Sequence, residues 1–255
     1  MVMFPTAQTN SRTTVEEINS GFVHRPGHEL APSDEHARIH EGLKEFIQNG
    51  HPCVGASAAL KRGEYWHGIY GRMDGAEDVM GLARDLFQYL RDQEAEPREF
   101  GTFLATFKGP KGLTEEEFET LLWRKLGELD QISSVFYPWD PTVSPDPESP
   151  QFSFSFAGKA FYVVGLHQGS SRMARSFEYP TLVFNLHSQF EKLRASGKYD
   201  RMRDTIRSRD EKLQGSVNPM LNDFGKVSEA RQYSGRKVDE GWKCPFHAVW
   251  AKDGK

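Results

Sequence analysis

Cysteine is scarce. Cys53 and Cys244 are the only two in the chain, so it can hold at most one disulfide. A disulfide-stapled secreted scaffold is thereby excluded, and a reduced, cytoplasmic setting is the expectation. Long apolar runs are also missing: the longest covers about seven residues, Ala160 to Leu166, far short of the ~20 that a membrane-crossing helix needs. The chain opens without the basic-then-apolar pattern of a secretory leader. Neither sign of charge dominates, with a formal net charge of −4, and no basic tract carries interleaved aromatics. Composition therefore gives no reason to expect nucleic acid or membrane as a partner. Internal repeats and low-complexity tracts are absent as well.

Aromatics are what the chain has in abundance: 18 Phe, 8 Tyr and 5 Trp. They suit a core built round a flat ligand and equally a plain α+β core. The stretch Phe152 to Tyr179 organises the rest. Phe152, Phe154 and Phe156 alternate with Ser153 and Ser155, the period-two pattern of a half-buried strand. Ala157-Gly158-Lys159 reads as a tight turn, and the apolar run 160–166 as a second, antiparallel strand. Beyond it His167, Ser170, Ser171, Arg172 and Arg175 follow within nine residues. An imidazole, two hydroxyls and two guanidinium groups at one sheet edge would make a floor for an anionic ligand.

No good linker interrupts the middle of the chain, so one domain over residues 34–255 is expected behind a polar, proline-containing N-terminal arm over 1–33. Ser33-Asp34-Glu35 starts a helix that ends near Gly50, and Thr114 with Glu117 forms a capping box for another. Helical spacing also marks 76–91, 187–196 and 199–213, while strands are expected at 64–70, 103–107 and 181–185. Ala56-Ser57-Ala58-Ala59 is a small-residue segment that lets a backbone or flat ligand approach closely. Hairpin-length joins among the strands favour an α+β fold with a mainly antiparallel sheet flanked by helices.

Three kinds of chemistry compete. Ser170 or Ser171 beside His167 suggests a nucleophile, yet the chain has no G-x-S-x-G elbow. His36 and His40 have the i, i+4 spacing of a zinc pair, but no further ligands accompany them and a solvated helix face explains them. The charge run Arg201, Arg203, Arg207 and Arg209 likewise reads as a solvated face. Haem needs an axial ligand, a flat apolar slot and groups for two propionates. His167, the aromatic hairpin, and Arg172, Arg175, Ser170 and Ser171 are permissive for it, while a structural histidine after a strand fits the same residues.

Longer motifs carry a resemblance. His51-Pro52-Cys53-Val54, Phe156-Ala157-Gly158, Gly165-Leu166-His167 with Ser170-Ser171-Arg172 and Ala174-Arg175, and Phe184-Asn185-x-His187-x-Gln189-Phe190-Glu191 are the first four. The segments 213–221, 228–236 and Trp242-x-Cys244-Pro245-Phe246 complete the set, which spans about residues 45 to 248. On these motifs the chain resembles the YqcI/YcgG family, and within it the branch containing the haem-dependent N-hydroxylase of guanitoxin biosynthesis. Ser176 departs from that branch, where a further arginine is expected after Arg175.

The resemblance implies a haem b enzyme that uses dioxygen or peroxide, with an electron donor, to hydroxylate a nitrogen of an arginine-like guanidine or amine. His167 is then the expected iron ligand. Cys53 is its rival and stands second, because small apolar neighbours favour an inert thiol. Ser170, Ser171, Arg172, Arg175 and Arg231 are the expected cofactor-binding groups, with Arg236 beside them. Glu229 and Tyr233 are the expected catalytic residues, Glu229 pairing with a guanidinium or else forming a structural salt bridge to Arg231 or Arg236. His51 and His187 are further candidates for positioning roles. A haem-binding or haem-sensing protein without turnover and a haem-free small-molecule binding module are the alternative functions. A homodimer formed through the helical tail is compatible with the sequence, though no feature requires it.

Overall fold

The computed structural model describes residues 21–250. Residues 1–20 of the expected N-terminal arm lie outside the described residues, and the part that follows lies on the domain. Its Phe22–His24 forms strand β1, paired with β2, Tyr65–Arg72. Strands β3, Thr102–Gly109, β4, Phe154–Phe156, β5, Lys159–Leu166, and β6, Thr181–Leu186, complete a six-stranded sheet in the order β1-β2-β3-β6-β5-β4. Only β2 and β3 run parallel; the other four pairings are antiparallel. Seven helices lie among the described residues: α1, Asp34–Gln48; α2, Val54–Arg62; α3, Val79–Ala95; α4, Glu115–Ser133; α5, His187–Ala195; α6, Tyr199–Gln214; and α7, Ala230–Tyr233. The result is the α+β architecture with a mainly antiparallel sheet that the hairpin spacings predict.

Local signals set the helix starts. Ser33 caps α1 by accepting the His36 N–H, and the Thr114/Glu117 capping box opens α4 under three successive glutamates that suit the helix dipole. The small-residue segment, which carries no helical periodicity, is nonetheless helical as α2. Cys53 caps it, and Gly63 closes it in the left-handed conformation.

Strand alternation divides the molecule. Trp66, Phe103, Phe107, Phe161, Leu182 and Phe184 face one way and make the large aromatic core with α3 and α4. Tyr65, Leu104, Val164, Leu166 and Val183 face the other way, toward α1 and α2. The serines at and just before β4 do not face water as a half-buried strand would have them. Ser153 and Ser155 are fully buried, Ser155 Oγ accepting the Asp140 N–H and Ser153 Oγ lying within hydrogen-bond range of the Phe161 carbonyl and of Glu229. The Phe/Ser alternation therefore marks which positions have polar partners, not which are wet. Among the described residues no helix is long and apolar enough to cross a membrane, and both cysteines are free.

Close packing on the aromatic side is testable through glycine. A Cβ on Gly165 would sit 2.5 Å from Phe118 Cε1 and 3.0 Å from the Tyr233 carbonyl. Gly165→Ala is expected to cost about 1–3 kcal/mol in urea unfolding. Gly42→Ala, in α1 with nothing within 4 Å of the new methyl, is expected to stabilise by about 0.5–1 kcal/mol.

Candidate functional site

A cavity of about 310 Å³, at the lower end of small-molecule sites, lies between the second sheet face and helices α1, α2, α5 and α6. Its floor is Tyr65, Leu104, Tyr162, Val164, Leu166, Val183 and Asn185, all on one side of four strands. Gly55, Ala56 and Ala59 of α2 line it, which is the close approach that small residues permit. Met202, Arg203, Ile206 and Arg207 bring one stripe of α6 to the wall, so that charged helix is not purely solvated.

His167 is not there. Tyr162, Val164 and Leu166 reach the cavity, and continuing the alternation sends His167 to the opposite face. Its ring, 1% exposed, stacks on Phe118 of α4 with centroids 4.3 Å apart, and among the described residues neither nitrogen makes a hydrogen bond of good geometry. Burial lowers its pKa. A porphyrin in the cavity would be separated from this imidazole by the sheet, so the expectation of His167 as iron ligand is corrected on position. The same parity, carried from Val183 through Asn185, brings His187 to the cavity instead.

Several other expected residues also lie elsewhere. Ser171 donates to Glu115 from its backbone and hydroxyl, at 2.9 and 2.8 Å, on the outside of α4. Ser170 shapes the turn, its Oγ accepting the Arg172 N–H. Arg231 reaches the Trp242 and Asp239 carbonyls and lies over the Trp242 ring. Tyr233 is a buried clamp rather than a cavity residue. Its oxygen accepts the Phe154 N–H and lies 3.0 Å from the Phe161 carbonyl and 3.3 Å from Glu229 Oε2. It touches the carboxylate from behind and positions it.

Arg172, Arg175, Cys53 and Glu229 do line the cavity. Arg172 is fully engaged: Nη2 donates to Asp210 Oδ2 and to the Ser216 carbonyl, both at 2.7 Å, tying α6 to the turn before β6. Arg175 differs. Its guanidinium donates at 3.2 Å to the carbonyls of Gly165, Gln232 and Tyr233 and forms no ion pair with a carboxylate among the described residues. Burial pulls its pKa down. Glu229 is 5% exposed; Oε2 is held at 2.8 Å by Ser153, and Oε1 makes no hydrogen bond among the described residues. Desolvation raises its pKa to about 7 against the help of those hydroxyls. It forms no salt bridge with Arg231 or Arg236, since Arg236 pairs with Glu119 at 2.6 Å.

Three further groups at the cavity matter for ligation. His51 uses both nitrogens, Nε2 on the Ala174 carbonyl and Nδ1 accepting the Cys53 N–H. His187 is buried, and among the described residues its Nε2 makes no hydrogen bond, the Glu191 carboxylate standing off at 3.9 Å. Cys53 Sγ, at the N-terminus of α2, accepts the Ala56 N–H. Burial raises its pKa, while the helix N–H groups and Arg175 oppose that rise. Tyr162 and Gln232, joined by a 3.0 Å hydrogen bond, are cavity residues that the motif reading missed. The parity of Tyr162 with Val164 and Leu166 was the available signal for the first. Among the described residues no group of three or more His, Cys, Asp or Glu side chains could hold a metal ion, and His40 bonds to His67 instead of facing solvent.

The YqcI/YcgG family matches residues 39–247. The chain belongs to this family. It is 30% identical over 181 residues to the uncharacterized protein YcgG of Bacillus subtilis (strain 168), covering 67% of this chain and 69% of that one. No solved structure matches it. In the family motifs, then, Cys53, Arg175, His187 and Glu229 converge on one cavity, whereas His167 and Ser171 point away from it.

Two outcomes follow from the geometry. Asp210→Asn leaves Arg172 buried without its counter-charge and is expected to cost about 3–5 kcal/mol in denaturant unfolding. Glu229 titrates near 4.5 when unfolded and near 7 when folded, so the native state holds the extra proton between those values. Its contribution to stability is therefore full below pH 4.5 and is lost as pH rises through 7. Glu229→Gln should remove that decline when unfolding is measured across the interval, and an unchanged slope would count against the assignment.

Proposed function

We propose that the cavity binds haem and that the protein is a haem-dependent oxygenase hydroxylating a nitrogen of a guanidine- or amine-containing small molecule, as in the guanitoxin branch of the family. The observation that carries the reading is the pairing, in one apolar cavity, of a thiol at a helix N-terminus with a buried carboxylate that has one oxygen uncommitted. The donor set fits iron. Cys53 is the ligand of choice: burial holds its thiol protonated in the free protein, and iron would displace that proton with the α2 amide groups and the Arg175 guanidinium opposing the burial effect. His187, whose Nε2 makes no hydrogen bond among the described residues, is the second donor available. His51 is unfit because both its nitrogens are engaged.

Haem bound here would supply the activation of dioxygen or peroxide. The protein's own groups do the rest. Glu229 accepts the cationic head of the substrate on its free oxygen, and Ser153 and Tyr233 hold the carboxylate in place from behind. Burial makes this pairing stronger than it would be in water, and the apolar floor and α2 exclude solvent from the reacting nitrogen. Cation binding needs the ionised carboxylate, so affinity should rise with pH through about 7.

Spectra and mass decide the matter. Protein expressed with haem precursor is expected to keep a Soret band through gel filtration, to lose or shift it in Cys53→Ala, and to retain it in His167→Ala. With arginine, a reductant and oxygen, the product should gain the mass of one oxygen, and Glu229→Gln should lower kcat/KM at least tenfold. A stable band without turnover would leave a haem carrier; no band with haem supplied would remove the oxygenase.

A further inference from the structure

A chain of five hydrogen bonds crosses the sheet face that floors the cavity, running beneath α1. The Tyr65 hydroxyl lies 3.2 Å from His40 Nε2, and His40 Nδ1 lies 2.8 Å from His67 Nδ1. His67 Nε2 is 2.9 Å from Thr106 Oγ1, and Thr106 Oγ1 is 3.0 Å from Thr181 Oγ1. Thr181 Oγ1 donates to the Tyr179 carbonyl at 3.0 Å.

That last acceptor sets the direction of the whole chain. A carbonyl cannot donate, while each hydroxyl and each neutral imidazole has one proton to give. With the Thr181 proton on Tyr179, Thr106 must donate to Thr181, and His67 must donate to Thr106 through Nε2. His67 Nδ1 is then bare and accepts from His40 Nδ1–H. His40 Nε2 is bare in turn and accepts the Tyr65 O–H. All five bonds form only in this order, because the reverse order leaves the Tyr179 carbonyl out and makes four. Burial keeps the members neutral, lowering His40 to about 4 and His67 well below its ordinary value, and raising Tyr65 to about 12. His24 stacks on the Tyr65 ring at 4.0 Å and holds it in place.

We propose that the hydroxyl oxygen of Tyr65, a residue that lines the cavity, meets the ligand and determines specificity: the chain turns its O–H toward His40, so the ligand meets only lone pairs and must bring an N–H or O–H donor. This rests on the reading of the cavity as a site for a guanidine or amine and deepens it. Glu229 takes the charge of such a ligand, and Tyr65 selects for a second donor group, discriminating against analogues that carry an acceptor there.

The test uses full-length protein labelled with ¹⁵N in its histidines. Imidazole nitrogen shifts should show His40 protonated on Nδ1 and His67 on Nε2; the opposite tautomer at either ring overturns the proposal. Thr106→Val removes the acceptor for His67 Nε2–H, and a buried N–H without a partner is costly. Both rings are then expected to exchange tautomers, with His40 donating to Tyr65, while Thr106→Ser keeps the wild-type pattern. Arginine affinity of the haem-loaded protein, read by calorimetry, should fall roughly tenfold in Tyr65→Phe and Thr106→Val and stay unchanged in Thr106→Ser. If Glu229→Gln abolishes arginine binding and Tyr65→Phe leaves it intact, this inference fails and the proposed function stands. Arginine that does not bind the wild-type protein removes both.

Discussion

Period-two alternation in a sheet covered on both faces is the constraint on which this molecule depends. Each strand must supply an aromatic surface to α3 and α4 and a second, less bulky surface to α1 and α2. The two requirements interleave residue by residue, so the chemical groups that reach the cavity are chosen by parity. Tyr162 and His187 fall on the cavity side, and His167 falls in the other core, although all three lie within 26 positions of the same hairpin-and-strand segment.

Much of the fold was legible because its signals are local. The Ser33 cap, the Thr114/Glu117 capping box and the tight turn at Ala157-Gly158 depend on neighbours a few residues away. What was not legible depends on distant partners. Ser153 and Ser155 resemble a wet strand face until Glu229 and Asp140 arrive to satisfy them. β1 gains its identity from pairing with β2, and α2, poor in periodicity, is made helical by its cap at Cys53 and its left-handed stop at Gly63. For the site, the motif reading named Cys53, Arg175 and Glu229, and all three line one cavity. Clustering alone could not separate His167 from His187, whereas counting parity along β5 and β6 could have done so.

Charge is handled with economy. Arg172 has Asp210, Arg236 has Glu119 and Lys125 has Glu128, so most cations near the core are neutralised within the chain. Against that background Arg175, whose hydrogen bonds run to carbonyls, and Glu229, held by hydroxyls, stand out as groups of opposite sign with no ion pair among the described residues. Separating them costs stability that direct pairing would recover. Such separation leaves each without a counter-charge at the wall of the cavity that both line.

Arg175 also stitches together parts of the chain made at very different times. Its guanidinium spans the carbonyl at Gly165, near the end of β5, and those of Gln232 and Tyr233, nearly seventy residues later, while Tyr233 seals β4 against β5. Until residues 232–233 have been made, the Arg175 guanidinium has only the Gly165 carbonyl of its three backbone acceptors within reach. The wall of the cavity at Gln232 thus closes only after all six strands have been made, and the hairpin of β4 and β5 waits for the Tyr233 hydroxyl that joins its two strands.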